Sequence, residues 1–321
     1  MRTNRKDIIS KFSKINIAVI GDVMLDQWIY GEVNRISAEA DVPIVLGKNI
    51  EYALGGAANC AANIKSLSGK VDIFGLIGED EAGKKIKKLF QQNKIAIGNL
   101  ITNDKSTIQK IRISGPHNQI VRLDWEDNSE INKIIENRIL NKLEKNFKKY
   151  QIIVLSDYNK GLLTKNLTQK IIQKAKQSNI PVIADIKPKN LDKFIGASVI
   201  TPSFKEAIEM SGLALENTDK AVAEMAKIIK KKTGSDVIIT RGAKGMSIYN
   251  GRTLHIPTQA KEVYEVAGAG DTVVAALALC IATGASLEQS AEIANMAAGI
   301  AVSKHGTTTV QQKELINALQ D

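Results

Sequence analysis

The stretch Glu265-Val266-Ala267-Gly268-Ala269-Gly270-Asp271-Thr272 runs without a break into an apolar segment over 273–282. Its two glycines permit a tight backbone turn, and the segment after them opens a helix whose first N–H groups lack internal partners. Such a corner attracts an anion. Asp271 at the mouth of the helix would repel that same anion, so one reading gives it a chemical role, that of taking a proton from a hydroxyl that attacks a phosphoryl group. An Asp that caps a helix after a Gly-rich turn accounts for the same residues, and this stretch alone leaves both open.

Upstream, the runs at 152–155, 182–184, 199–201 and 237–240 read as buried strands, alternating with helical patterns at 167–178, 205–211 and 219–232. Most end in polar residues: Ser156-Asp157-Tyr158, Asp185, Thr201-Pro202-Ser203 and Thr240-Arg241-Gly242. Right-handed crossovers place those ends on one side, which predicts an α/β fold with a doubly wound, mostly parallel sheet and a polar ligand edge. A strand over 16–20 delivers Asp22 to the same edge, where it is either a ligand-side carboxylate or, like Asp26 a few residues on, simply a turn-former. Leu54-Gly55-Gly56-Ala57-Ala58-Asn59 reads as a second glycine-rich turn entering a small-residue helix, with the Asn59 amide able to donate to and accept from sugar hydroxyls. A strand is expected over 71–77 and a helix over 82–92. Ala291 to Ser303 reads as a further small-residue helix, packed in the core or forming one wall of an adenine slot.

Four short strand-like runs, at 28–30, 42–46, 106–113 and 119–123, do not fit the βα rhythm. The last two flank a hairpin loop, Ser114-Gly115-Pro116-His117-Asn118. We expect a small sheet, drawn from about 27–52 and 105–125, that projects from one domain spanning 1–321 and serves as a lid or a dimer interface. Arg122 is either aimed at the pocket or paired on an edge strand.

At 321 residues the chain can bury a sizeable core. No stretch is apolar enough to span a bilayer, and the polar start Met1-Arg2-Thr3-Asn4-Arg5 argues for a cytoplasmic location and against membrane partners. Cys60 and Cys280 sit in Ala-rich runs and read as small core residues. The net charge of +10 carries only eight Arg among 44 basic residues, and aromatics are 4% of the chain without a basic and aromatic stripe. That argues for solvated helix faces and against nucleic acid.

Gly55-Gly56-Ala57-Ala58-Asn59 and Ala267-Gly268-Ala269-Gly270-Asp271-Thr272, about two hundred residues apart, together resemble the paired signatures of the ribokinase-like (PfkB) carbohydrate kinases. Within the family the chain looks most like the kinases of D-glycero-β-D-manno-heptose 7-phosphate. That likeness rests on Gly21-Asp22-Val23-Met24-Leu25-Asp26, Arg35-Ile36-Ser37-Ala38-Glu39-Ala40, Leu155-Ser156-Asp157-Tyr158-Asn159-Lys160-Gly161, Pro257-Thr258-Gln259-Ala260 with Glu262-Val263-Tyr264, and Gly306-Thr307-Thr308-Thr309-Val310. The resemblance implies a ribokinase-like fold and ATP-dependent phosphorylation of the sugar's anomeric hydroxyl for surface heptose synthesis. Because the sequence ends at Asp321 without a His-x-Gly-His motif, it also implies a stand-alone kinase. A kinase for another sugar and a silent sugar or nucleotide sensor are the competing readings.

By the same resemblance, Asp271 is the base, and the N–H groups of Ala269 and Gly270, after Gly268, stabilise charge on the phosphoryl group. Asp22, Gly55, Gly56 and Asn59 hold sugar hydroxyls, with Asp157, Lys160, Lys187 and Arg122 as further candidates for the sugar or its distal phosphate. Glu206 organises Mg²⁺ through water, beside Ser203 where the family usually has Asn. Thr240, Gly242, Gly245 and Asn295 take the nucleotide side. The implied cofactors are ATP and Mg²⁺, with a monovalent cation as a further expectation, and the implied partners are a small-molecule sugar phosphate and a second copy of the chain meeting through the lid. Ala267 replaces a common Thr.

Overall fold

The computed structural model describes residues 4–116, 118–260, 263–264, 266–304 and 308–319. Glu262, Glu265, the Gly306-Thr307 pair and His117 of the expected hairpin loop lie outside these residues.

A short helix α1 (Arg5–Ser10) leads into β1 (Asn16–Gly21). The chain leaves the main sheet through β2 (Val23–Ile36) and β3 (Pro43–Gly56), then returns by α2 (Ala57–Ser66) to β4 (Lys70–Phe74). Strand β5 (Leu76–Gly78), helix α3 (Glu81–Gln92) and β6 (Ile101–Asn103) form a side unit, and β7 (Ile108–Ser114) and β8 (Gln119–Trp125) follow. A regular alternation comes next: α4 (Lys133–Lys145), β9 (Ile152–Ser156), α5 (Lys165–Gln177), β10 (Val182–Asp185), β11 (Val199–Ile200), α6 (Phe204–Ser211), α7 (Asp219–Thr233) and β12 (Asp236–Thr240). Strands β13 (Met246–Tyr249) and β14 (Thr253–Ile256) and helices α8 (Ala269–Ala282), α9 (Leu287–Val302) and α10 (Gln312–Asn317) complete the chain.

The main sheet has the order β14-β13-β12-β11-β10-β9-β1-β4. Strands β4, β1, β9, β10, β11 and β12 pair in parallel, while β13 and β14 are added antiparallel. The expected α/β, doubly wound, mostly parallel sheet is thus observed, with helices on both faces. Alternation along each strand divides the core. Ile17, Val19, Ile152, Val154 and Ile238 pack with α2, α8 and α9 on one face, and Ala18, Ile20, Ile153, Leu155 and Ile239 with α4, α5 and α7 on the other. Because β4 and β9 flank β1 on opposite sides, the winding reverses there, and the crevice opens beside the carboxyl end of β1.

A second sheet, β3-β2-β7-β8, is the small sheet expected as a lid or a dimer interface, mostly antiparallel with β2 and β7 parallel. Its first two strands are 14 residues each, far longer than the sequence pattern implied, because their inner ends are buried and their outer ends are not, which erases a uniform alternation. Gly55-Gly56 is accordingly the end of a strand and not a turn. Gly56 takes φ +59 and lies so close to the Asp22 carbonyl that a Cβ would sit 2.5 Å from it. The single strand expected over 71–77 is broken at Gly75 into β4 in the main sheet and β5 in a two-stranded sheet with β6. A Cβ at Gly75 would lie 2.5 Å from a Val23 methyl, so the chain bends where the lid departs.

Candidate active site

The carboxyl ends of β9 and β10 meet the amino end of α8 at this crevice. Gly268, at φ +80, makes the turn, so Asp271 is the third residue of α8, well inside the place that a simple N-cap would occupy. Its side chain is almost wholly buried, the residue being 4% exposed. The Asn59 amide of α2 donates to Oδ2 at 2.7 Å, and the Tyr158 hydroxyl donates to Oδ1 at 2.9 Å. Burial pushes the carboxyl up to about 7, against the pull of the Asn59 and Tyr158 hydrogen bonds; Asp26 adds to the rise and Lys187 opposes it. Both of these donors are neutral, so the group remains able to accept a proton near neutrality. Asn63 donates to the carbonyl and side-chain oxygens of Asn59 at 3.1 Å and accepts from the Thr272 hydroxyl at 3.0 Å, which ties α2 to α8 behind the carboxylate.

At the next position along the turn, a Cβ added to Gly270 would meet nothing within 4 Å. A ligand can therefore approach the helix start closely. The expected pair of N–H donors is modified: Ala269 N–H already donates to the Val266 carbonyl at 3.3 Å, because the turn folds back on itself, and Gly270 becomes the first open position.

Asp22 is buried, and its carboxylate accepts from the N–H groups of Tyr158 and Lys160 at 2.9 and 3.0 Å and from that of Leu162 at 3.4 Å. Burial and the neighbouring Asp157 push it up to about 6 against those bonds. It orders the loop after β9, and Tyr158 thereby links it to Asp271. Asp157 accepts from Asn159 N–H at 2.8 Å and from the Asn190 amide at 2.7 Å. Asp185, at the end of β10, is pushed up to about 7 by burial and by Asp271 and Glu206.

Lys187 forms an ion pair with Glu206 at 2.5 Å. The other Glu206 oxygen accepts from Ser203 N–H and Oγ, both at 2.8 Å, in a capping box that starts α6. Burial favours the neutral form of Glu206, but Lys187 and Ser203 outweigh it and hold the group below the usual range. The hydroxyl that stands where the family usually has Asn is therefore engaged with Glu206. Lys160 pairs with Glu126 at 2.5 Å. Arg122 lies half-exposed on β8 and pairs with Asp124 at 2.9 Å, so of its two expected placements the edge-strand pairing is the one found. It gives its charge to the lid and not to the cleft.

On the other side, Gly242 and Gly245 take φ +60 and +79 around the bend between β12 and β13, and a Cβ on Gly245 would strike the Ile256 carbonyl. Beside Thr240 a surface cleft of about 610 Å³ is lined by Asn217, Asp219, Arg241, Lys244, His255 and Pro257. The Asn295 amide donates to the Pro257 carbonyl at 2.6 Å. Ala291, Ala294, Ala297 and Ala301 of α9 are buried in the core, while Gly299 lets the backbone of Gln259 and Ala260 pass at 3.2 Å from where its Cβ would be. Among the described residues no group of three His, Cys, Asp or Glu side chains is placed to hold a metal ion directly.

Sequence reasoning missed Tyr158, Asn63, Asp185, the Asp26–Arg112 pair at 2.7 Å and Lys110. Tyr158 and Asp185 had a signal, since both stand in polar strand ends already singled out. Asn63, Arg112 and Lys110 had none.

A proton-accepting carboxyl at a glycine-opened helix start, on the switch-point edge of a doubly wound sheet, is the arrangement of a phosphotransferase with an alcohol acceptor. The chain matches the pfkB family carbohydrate kinase model over residues 14–314, and it belongs to that family. It is 41% identical over 313 residues to the bifunctional protein HldE of Haemophilus influenzae, covering 97% of this chain and 64% of that protein. The chain thus spans about 64% of the length of this relative. Its fold is similar to Arabidopsis thaliana ribokinase complexed with ribose and ATP, with TM-score 0.76, 19% identity and coverage of 96% and 99% of the two chains. It is equally similar to Escherichia coli phosphofructokinase-2 in complex with potassium, with TM-score 0.77, 17% identity and coverage of 95% and 98%. The protein is a carbohydrate kinase with a ribokinase-like fold.

Proposed function

We propose that this kinase transfers the γ-phosphoryl group of ATP to the anomeric O1 of D-glycero-β-D-manno-heptose 7-phosphate, giving the 1,7-bisphosphate for surface heptose synthesis. The observation that carries the reaction type is the buried Asp271, poised at about 7 between two neutral donors. The sugar assignment rests on the motifs around Asp22, Arg35 and Asp157 and on the 41% identity to a bifunctional HldE protein.

In the proposed step the sugar O1 attacks the γ-phosphorus, the bond from phosphorus to the bridging oxygen of ADP breaks, and the O1 proton passes to Asp271. Asn59 and Tyr158 keep the carboxylate oriented, while the Gly270 N–H at the helix start stabilises charge on the phosphoryl group as it passes to O1. Asp22 holds the 158–162 loop against the sugar side. Thr240, Gly242, Gly245 and Asn295 bound the nucleotide side next to the cleft at Arg241.

Mg²⁺ fits these residues only through water. Both Glu206 oxygens are engaged by Lys187 and Ser203, so Glu206 orders the surroundings of an ion held mainly by phosphates and water, as Mg²⁺ prefers. When bound, the ion neutralises triphosphate charge beside a cleft rich in carboxylates. Among the described residues none assigns a site for a monovalent cation.

We further propose a homodimer through the lid. Ile36, Val42, Leu46, Ile50 and Trp125 are 42–60% exposed on it, a concentration that a lone surface seldom carries. No helix among the described residues is long and apolar enough to cross a membrane, and use of ATP accords with action in the cytoplasm.

The deciding experiment measures ADP release with heptose 7-phosphate, unphosphorylated heptose, ribose, fructose and hexose 6-phosphates. Asp271→Asn should lose about 10²-fold or more in kcat, the usual contribution of a general base, with sugar binding retained. Near-normal turnover in that variant removes the mechanism, and a preference for another sugar removes the substrate assignment.

A further inference from the structure

Across the inner end of the lid, Lys110 on β7 stands in register between Asp26 on β2 and Asp124 on β8. It closes an ion pair with neither. Asp26 gives its Oδ1 to Arg112 at 2.7 Å, and Asp124 gives its Oδ1 to Arg122 at 2.9 Å. The third carboxylate of this region, Glu126, is held by Lys160 at 2.5 Å. Three carboxylates thus face four cations, and of these four Lys110 is the one without an ion-pair partner among the described residues. Its ammonium instead lies 5.5 Å from the centre of the Tyr158 ring.

Burial and the proximity of Arg122 and Lys160 both disfavour its charged form, and Asp26 and Asp124 compensate only in part; the net shift is downward. A half-buried ammonium without a counter-ion is costly unless something supplies one. The Tyr158 ring gives the direction. Its hydroxyl end touches Asp271, where the reacting sugar hydroxyl must lie, and two ammonium groups lie over the ring itself, Lys110 of the second sheet at 5.5 Å and Lys187 at 5.4 Å, of which Lys187 is already paired with Glu206. The ring thus stands between the base and Lys110. The cations expected from sequence to receive a distal phosphate are already engaged: Arg122 by Asp124, Lys160 by Glu126 and Lys187 by Glu206.

We propose that Lys110 of the lid, set over the Tyr158 ring, is the seat for the phosphate at the far end of the sugar substrate, and so selects phosphorylated sugars over free ones. The proposal rests on the sugar-kinase reading above but not on which phosphosugar is the acceptor. The lid then binds substrate through its own surplus charge, and it closes on a phosphosugar with an attraction that a free sugar cannot supply.

The test compares wild type with Lys110→Met and Lys110→Arg on heptose 7-phosphate, mannose 6-phosphate, fructose 6-phosphate and the same sugars without phosphate. Lys110→Met, which keeps the length and apolar stem, should raise KM for the preferred phosphosugar about tenfold or more with a smaller change in kcat, the size expected for losing a charge-assisted contact. Lys110→Arg should restore part of it, and rising salt should raise the wild-type KM more steeply than that of Lys110→Met. If heptose 7-phosphate is the substrate and Lys110→Met leaves its KM and salt dependence unchanged, this subsite is refuted while the substrate assignment stands. If another phosphosugar is preferred and Lys110→Met raises its KM, the subsite stands and the heptose assignment falls. A wild-type preference for unphosphorylated sugars refutes both.

Discussion

Tyr158→Phe removes one hydroxyl and leaves a ring that fills the same space. In the wild type that hydroxyl donates at 2.9 Å to Asp271, whose carboxyl burial has pushed up to about 7. A hydrogen bond to a charged group contributes roughly 1.5–3 kcal/mol, and each pKa unit corresponds to about 1.4 kcal/mol. Because the bond favours the carboxylate, its loss raises the Asp271 pKa, by about one to two units. At pH 7 roughly half of the wild-type carboxyls are ionised, against about a tenth to a hundredth in the variant, so kcat/KM at pH 7 should fall about 5- to 50-fold. The decline is recoverable, since raising the pH ionises the variant's Asp271 as well. The assay is kcat/KM against pH, from about 5.5 to 9.5, with the acid limb expected to move upward by the same one to two units. A loss of activity that is equal at every pH would refute the reasoning, for it would make Tyr158 a matter of geometry alone. An unchanged profile would show that Asp271 is not the base titrating in that limb.

The same carboxyl should weaken the fold. Asp271 binds its proton more tightly in the folded protein, at about 7, than at its ordinary value of 3.8, so folding stability falls as pH rises through that window and the full cost of burial is present above it. Asp271→Asn should therefore raise Tm clearly at about pH 8 and very little at about pH 4; equal shifts at both would contradict a buried titrating group. For the lid, Ile36→Glu with Leu46→Glu should convert a dimer to a monomer in sedimentation velocity without loss of secondary structure, and a monomeric wild type at micromolar concentration would remove the dimer.

What the sequence disclosed follows the range over which each signal acts. The parallel strands β1, β9, β10 and β12 were legible because burial on both faces leaves unbroken apolar runs with polar ends. The helix start at Asp271 was legible because two glycines and a long apolar run stand together in one short stretch, although that stretch alone did not separate a cap from a base. The lid strands were found but undersized: β2 passes from buried Val23–Asp26 to exposed Glu32–Ile36, and no single pattern spans that change. The break at Gly75 escaped notice because the methyl that forces it belongs to Val23, on another strand. Tyr158 stands inside a recognisable motif, but nothing local marks its role, since its partner lies 113 residues further along the chain. Lys110 reads as any lysine on a polar strand; only the register across three strands, with its neighbours' charges already taken, sets it apart.

That register also bears on why the cleft tolerates so much negative charge. Asp22, Asp157, Asp185, Glu206 and Asp271 gather at one sheet edge, and the chain answers Asp22 and Asp157 largely with backbone and amide donors, Asp271 with an amide and a phenol, and Glu206 with a cation. Neutral donors orient a carboxylate without cancelling its charge, so Asp271 stays near 7, and burial together with Asp271 and Glu206 puts Asp185 near 7 as well, so the two disfavour simultaneous ionisation in the resting protein. Had lysines closed on these groups instead, Asp271 would be pulled toward ordinary carboxylate acidity and lose its ability to hold a proton at neutral pH. Keeping the surplus cation on the lid at Lys110, one ring away from the base, separates the charge that binds from the charge that reacts.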